Sequence, residues 1–123
     1  MPARLRSVQP VLMSRDVARS IEFYARLGFR LAFQDRPVDP QYVGIRRDDI
    51  ELHLQWHDAA EWDYPNDRPT YRFVVADVDE LFRELQAAGV LGENSRIADT
   101  AWGTREFHVQ DPDRNGLQFY RDR

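Results

Sequence analysis

Near the C-terminus, A-W-G-T-R-E-F-H-V-Q-D-P-D-R-N-G from Ala101 to Gly116 gathers Trp, Arg, Glu, His and Asp side chains. Such a set could move protons, hold a metal ion or stack on a planar molecule. A second stretch, E-L-H-L-Q-W from Glu51 to Trp56, places Glu51, His53 and Gln55 at alternate positions. On a strand, alternate side chains share one face, so these three become candidates for lining a common surface.

Several chemistries are excluded at once. Ala101–Gly116 contains no Ser or Cys, so it holds no nucleophilic triad. The chain has no Cys and therefore no disulfide, thiolate or zinc–thiolate site. All 17 basic residues are Arg, which leaves no lysine for a Schiff base or a P-loop. His53 and His57 are not a helical zinc pair, because four strand residues separate them by about 13 Å. His108, between Phe107 and Val109, reads as a solvated or sheet-packed histidine. Arg47-Asp48-Asp49 and Asp111-Pro112-Asp113 read as turns. Ala101–Gly116 is then a strand entering a tight corner, with Trp102 and Gly103 at a ligand-contacting rim or a dimer contact.

The elements that must position these residues come from an internal repeat. Q-P-V-L-M-S-R-D-V from Gln9 matches T-Y-R-F-V-V-A-D-V from Thr70, an offset of 61. In each copy an apolar run is followed by an Asp N-cap (Asp16, Asp77), an apolar helical stripe and a Gly stop (Gly28, Gly89). The stripes are Val17, Ile21, Tyr24, Leu27 and Val78, Leu81, Phe82, Leu85. Strand-like segments follow at 29–35, 42–46 and 50–56, then at 96–100, 106–110 and 117–121.

The reading is α+β: two tandem βαβββ modules, about 7–58 and 70–121, joined by a polar, proline-bearing linker at about 59–69. They are expected to form a curved, mixed eight-stranded sheet around a crevice, with the helices outside. Matching Ile50-Glu51-Leu52 to Leu117-Gln118-Phe119 puts Gln9, Glu51, Thr70 and Gln118 at four convergent crevice positions.

At 123 residues the chain is one domain, and its 42% apolar content suffices for a modest core. Its net charge of −4 argues against nucleic acid and for a cationic ligand. No apolar run reaches membrane-spanning length and the N-terminus lacks a signal-like apolar stretch, so a cytoplasmic protein without membrane contact is expected.

Three segments, V-L-M-S-R-D-V-A-R-S-I-E-F-Y-A-R-L-G-F, V-G-I-R-R-D-D-I-E-L and W-G-T-R-E-F-H-V-Q-D-P-D-R-N-G-L-Q-F, resemble the vicinal oxygen chelate superfamily in the right order. That superfamily includes glyoxalase I, extradiol dioxygenases, fosfomycin-resistance enzymes and bleomycin-binding proteins. The last segment is most similar to the bleomycin-resistance branch. The resemblance implies that its enzymes hold a divalent metal at the four convergent positions with His, Glu or Gln. Gln9 and Glu51 fit that pattern, whereas Thr70 and Gln118 depart from it. One carboxylate, two amides and a hydroxyl make a poor cage, so the expectation is a protein without cofactor or catalysis.

If an ion such as Ni, Zn, Mn or Fe were held, Gln9, Glu51 and Gln118 would be its ligands, in a lyase, isomerase or dioxygenase. The branch also implies aromatic ligand contacts at Phe33 and Tyr42, and an aromatic where this chain has Arg72. Asp35 and Glu51 would supply negative charge for a cationic, aromatic antibiotic, with His53, Gln55, Arg72, Trp102 and Gly103 completing the lining. Trp56, Trp62 and Trp102 could equally be core or interface anchors. The branch further implies a homodimer with crevices between subunits, its N-terminal arm crossing near Pro10. A paralogue taking another metabolite is the remaining alternative.

Overall fold

The computed structural model describes residues 2–62 and 69–123. The first repeat builds β1 (Val11–Ser14), α1 (Val17–Arg26), β2 (Arg30–Gln34), β3 (Tyr42–Arg47) and β4 (Ile50–Trp56). The second builds β5 (Thr70–Val74), α2 (Val78–Ala87), β6 (Ala98–Asp99), β7 (Thr104–Gln110) and β8 (Gly116–Asp122). Of the expected linker, Ala59–Trp62 is a single 3₁₀ turn, and 63–68 lie outside the described residues.

The helix boundaries arise from local chemistry repeated in both halves. Asp16 accepts the backbone N–H of Arg19, and Asp77 that of Glu80, which satisfies donors the first helical turn leaves open. Gly28 and Gly89 follow the helices at φ 90 and 73°, a left-handed conformation that a side chain would disfavour.

The eight strands form two four-stranded mixed sheets with the same order, β1-β4-β3-β2 and β5-β8-β7-β6. In each, the strand before the helix pairs parallel to the last strand and the other pairs are antiparallel. Alternation divides each sheet into a helix-packed face and an open one. Leu12, Val43, Ile45, Leu52 and Leu54 are buried with Tyr24 and Leu27 in the first module, and Phe107, Leu117 and Phe119 with Val78 and Leu85 in the second, all in one hydrophobic core. Burying each such side chain contributes about 1.5–3 kcal/mol, so the core anchors the sheets that carry the polar faces.

The register corrects one detail of the repeat. Val11 pairs with His53 and Arg72 with Gln118. Since Val11 and Arg72 are 61 apart, His53 rather than Glu51 is the structural counterpart of Gln118. The cause is unequal turns: Arg47 pairs with Ile50 across two residues, whereas Gln110 pairs with Gly116 across five. Gln9 also precedes β1 rather than lying on it.

The turn Asp111–Asn115 does more than reverse the chain. The Asp111 carboxylate accepts the backbone N–H groups of Asp113 and Asn115, the Asn115 amide and the Tyr24 hydroxyl. Asp113, its side chain fully buried, accepts from Arg15, Arg19 and Ser20. Burial pushes the Asp111 carboxyl above its ordinary range despite these donors; burial first, then the neighbouring Asp111, pushes the Tyr24 phenol well up. The corner thereby clasps α1 of the first module.

Candidate ligand-binding crevice

The open face of the first sheet carries Arg46, Gly44 and Tyr42 from β3 beside Glu51, His53 and Gln55 from β4. Phe33 reaches this face because of a bulge in β2. Leu31 pairs with Ile45, but Phe33 pairs with Gly44, so the extra residue turns Phe33 from the helix side to the open side. Its ring lies directly over Gly44, where a Cβ would collide with it. Glycine is therefore required at 44 to seat the aromatic side chain.

These residues form one connected cluster. The Phe33 and Tyr42 rings are stacked with centroids 6.3 Å apart, and both meet the His53 ring edge to face at 5.2 and 5.3 Å. The Tyr42 hydroxyl lies 2.7 Å from His53 Nδ1, and His53 Nε2 lies 2.8 Å from Glu51 Oε2. Glu51 Oε1 faces Arg46 Nε at 3.3 Å. Phe33 keeps 43% of its surface open, so an aromatic wall, a phenol oxygen and a carboxylate are presented side by side. That combination suits a planar or cationic molecule.

The second sheet turns a different set of side chains to its open face. Glu106 is 5% exposed, accepts the Thr104 hydroxyl at 2.8 Å, and lies 3.1 Å from His108 Nε2 and 3.5 Å from Arg72. Burial tends to push the Glu106 carboxyl up, but hydrogen bonds from His108 and Thr104, with the charges of His108 and Arg72, hold it below its ordinary range. Arg72 covers the Tyr120 ring at 4.0 Å.

The predicted site residues fall into separate places. Phe33, Tyr42, Glu51 and His53 come together, with Gln55 on the same face but exposed. Gln9, Glu51, Thr70 and Arg72 share a pocket of about 470 Å³ between the starts of β4 and β5. Asp35 is exposed and caps its own loop by accepting the Gln41 backbone N–H. Trp102, 69% exposed, and Gly103, at φ 90°, lie on the β6–β7 turn. Trp56 ends β4, partly exposed, and the side chain of Trp62 lies outside the described residues. A separate apolar cleft of about 350 Å³ between Phe29, Ile50, Phe73 and Leu85 includes none of the predicted ligand-binding residues. Glu106, Arg46 and Gly44 were not singled out in the sequence, although alternation around Phe107 and Ile45 places the two charged ones on the open faces.

The donor set does not fit a divalent ion. Glu51 is already shared between Arg46 and His53, the Gln9 amide donates to Ser7 at 3.0 Å, and Gln118 sits in register with Arg72. Among the described residues, no three His, Asp or Glu side chains are grouped to hold a metal.

Residues 6–119 match the family described as Glyoxalase/Bleomycin resistance protein/Dioxygenase superfamily. The chain belongs to this superfamily. Among its superfamily relatives, a bleomycin resistance protein of Geobacillus stearothermophilus is 29% identical over 128 residues, covering 91% of this chain and 93% of that one. The bleomycin-binding protein of bleomycin-producing Streptomyces verticillus, solved with copper(II)-bleomycin, is 27% identical at a TM-score of 0.75, covering 96% and 97%. The bleomycin resistance determinant of transposon Tn5 shares the fold at a TM-score of 0.76 and 24% identity, covering 96% and 98%. The two helices and eight strands in two mixed sheets among the described residues match the fold of that determinant. Among the described residues no helix is long and apolar enough to cross a membrane.

Proposed function

We propose that this superfamily member is a non-catalytic binding protein that sequesters a cationic, aromatic glycopeptide antibiotic of the bleomycin type, conferring resistance. The observation that carries the reading is the Phe33–Tyr42–His53–Glu51 cluster, an aromatic wall with a carboxylate at its foot on an open sheet face. Relatives named for bleomycin resistance and binding support it. In this reading residues 7–58 and 70–121 are the two modules of one domain, Gln55 and Asp35 border the first module's wall, and no cofactor takes part.

The protein works in the cytoplasm as a homodimer, and a partner's second-module face, with Arg72, Trp102 and Gly103, closes each crevice. Supporting this is the arm before β1, exposed from Pro2 through Val8 with Leu5 97% open, which suits it to lie against another subunit.

Titration of the purified protein with copper(II)-bleomycin and with metal-free bleomycin tests the reading. Saturable binding supports it, and no heat or fluorescence change with either form overturns it. A parallel titration with Ni²⁺, Zn²⁺, Mn²⁺ and Fe²⁺ is expected to give no stoichiometric binding. Tight binding lost in Glu51→Ala would instead support a metal-dependent enzyme.

A further inference from the structure

The cluster on the first sheet has a direction that follows from its donors and acceptors. At neutral pH a carboxylate has no proton to give, so the contact of 2.8 Å between Glu51 and His53 Nε2 requires the hydrogen to sit on Nε2. In a neutral imidazole the other nitrogen is then an acceptor. With a neutral His53 ring, the contact of 2.7 Å between His53 Nδ1 and Tyr42 is made by the only proton Tyr42 owns. The Arg46 guanidinium, which can only donate, lies 3.3 Å from the far oxygen of Glu51, so both oxygens of that carboxylate face donors. The His53 side chain is only 15% exposed, which limits competition from water for either nitrogen.

From this we infer that Tyr42 presents an acceptor-only oxygen to the crevice, and that its ligand places a protonated amine there. Among the described residues no other hydrogen bond engages the Tyr42 hydroxyl. Its remaining lone pairs face a ligand group that brings a hydrogen: an ammonium or similar N–H donor satisfies them, whereas a carboxylate would oppose oxygen to oxygen. The exposed Phe33 ring stacked beside Tyr42 adds an electron-rich surface that favours the same cation. His53 acts here as a positioning residue. Its role in this inference is to set which way the Tyr42 hydroxyl proton points. The inference rests on the reading that this crevice takes a small molecule, and adds the chemical sign of the group at one point in it.

Long-range ¹H–¹⁵N correlation on the uniformly labelled full chain at neutral pH reads the His53 tautomer directly, without any ligand. Hydrogen on Nε2 with bare Nδ1 is expected, and the opposite tautomer or a ring protonated on both nitrogens overturns the inference whatever bleomycin does. In the same spectra, phenethylamine and 3-phenylpropanoate serve as matched amine and acid probes. The amine is expected to move the His53 and Gly44 resonances with an affinity about tenfold above that of the acid, as for one charged hydrogen bond. Tyr42→Phe should bring the two probes level while leaving the melting temperature close to wild type. Equal response to amine and acid in the wild type, no response to the amine, or an amine preference that survives Tyr42→Phe overturns it. A protein that passes these tests but ignores bleomycin would retain the amine site and lose only the antibiotic reading.

Discussion

The two sheets share one strand order, yet their open faces differ in kind. On the first, Glu51 is partly exposed and belongs to a cluster with an uncovered aromatic wall. On the second, Glu106 is buried beneath Thr104, His108 and Arg72, and the Tyr120 ring is covered by Arg72. Both faces hold a carboxylate, a histidine and an arginine. The difference lies in depth and cover: Glu51 stands partly open beside an uncovered ring, whereas Glu106 is almost fully buried and Tyr120 lies under Arg72. Duplication preserved the frame, while side-chain depth separates a face able to receive a ligand from one closed on itself.

The sharpest way to break this contrast is Glu106→Ala, which strips the buried acceptor from Thr104 and leaves Arg72 without its partner. A loss of about 3 kcal/mol of stability is expected, read as a lower urea midpoint at unchanged slope. A midpoint within error of wild type would mean the second face is not closed by this carboxylate. Next comes Gly44→Ala, which pushes the Phe33 ring off its seat; about 2 kcal/mol of stability should go with it, together with bleomycin affinity. Retained affinity would separate Phe33 from the ligand.

Glu51→Gln should do the reverse of Glu106→Ala. Stability should barely move, but bleomycin affinity should fall about tenfold, or 1.4 kcal/mol, by calorimetry. Unchanged affinity would remove the electrostatic part of the proposed function. The smallest effect belongs to Arg72→Ala, which uncovers Tyr120 and should cost less than about 1 kcal/mol. A larger loss would mean that Arg72 holds the second face together.

Acid sharpens the same comparison. Because the folded protein holds Glu106 below its ordinary range, its contribution is present above the unfolded-state pKa and is lost as pH falls through the folded value. The acid limb of the stability curve should therefore be shallower in Glu106→Gln. Asp111 has the opposite sign: raised by burial, it contributes below the ordinary aspartate range and that contribution is lost as pH rises through its folded value. An acid limb identical in wild type and Glu106→Gln would mean that the variant removes no proton-linked stability.

The parts legible from sequence were those decided locally. Asp16 and Asp77 cap helices by reaching three residues ahead, and Gly28 and Gly89 end them, so spacing alone exposed the repeat. Alternation correctly grouped Glu51 with His53. What escaped depended on non-local geometry. Turns of unequal length shifted the register so that His53 answers Gln118. A bulge, invisible to a strict period of two, brought Phe33 to the open face. The depth of Glu106 depended on Arg72 of β5 as well as on Thr104 and His108, each two residues away.

The corner at Asp111–Asn115 has a consequence for the order in which the chain can mature. The groups on α1 that it satisfies lie some ninety residues earlier, with Tyr24 and Asp111 separated by 87 positions and Arg19 and Asp113 by 94. On a ribosome α1 emerges first and must wait for nearly the whole polypeptide before its hydroxyl and guanidinium partners exist. A chain interrupted before Asp111 would bury the Tyr24 hydroxyl without this acceptor, a defect that quality-control proteases would meet as repeated local opening. The turn thus makes the first module's final closure contingent on the corner that the second module supplies.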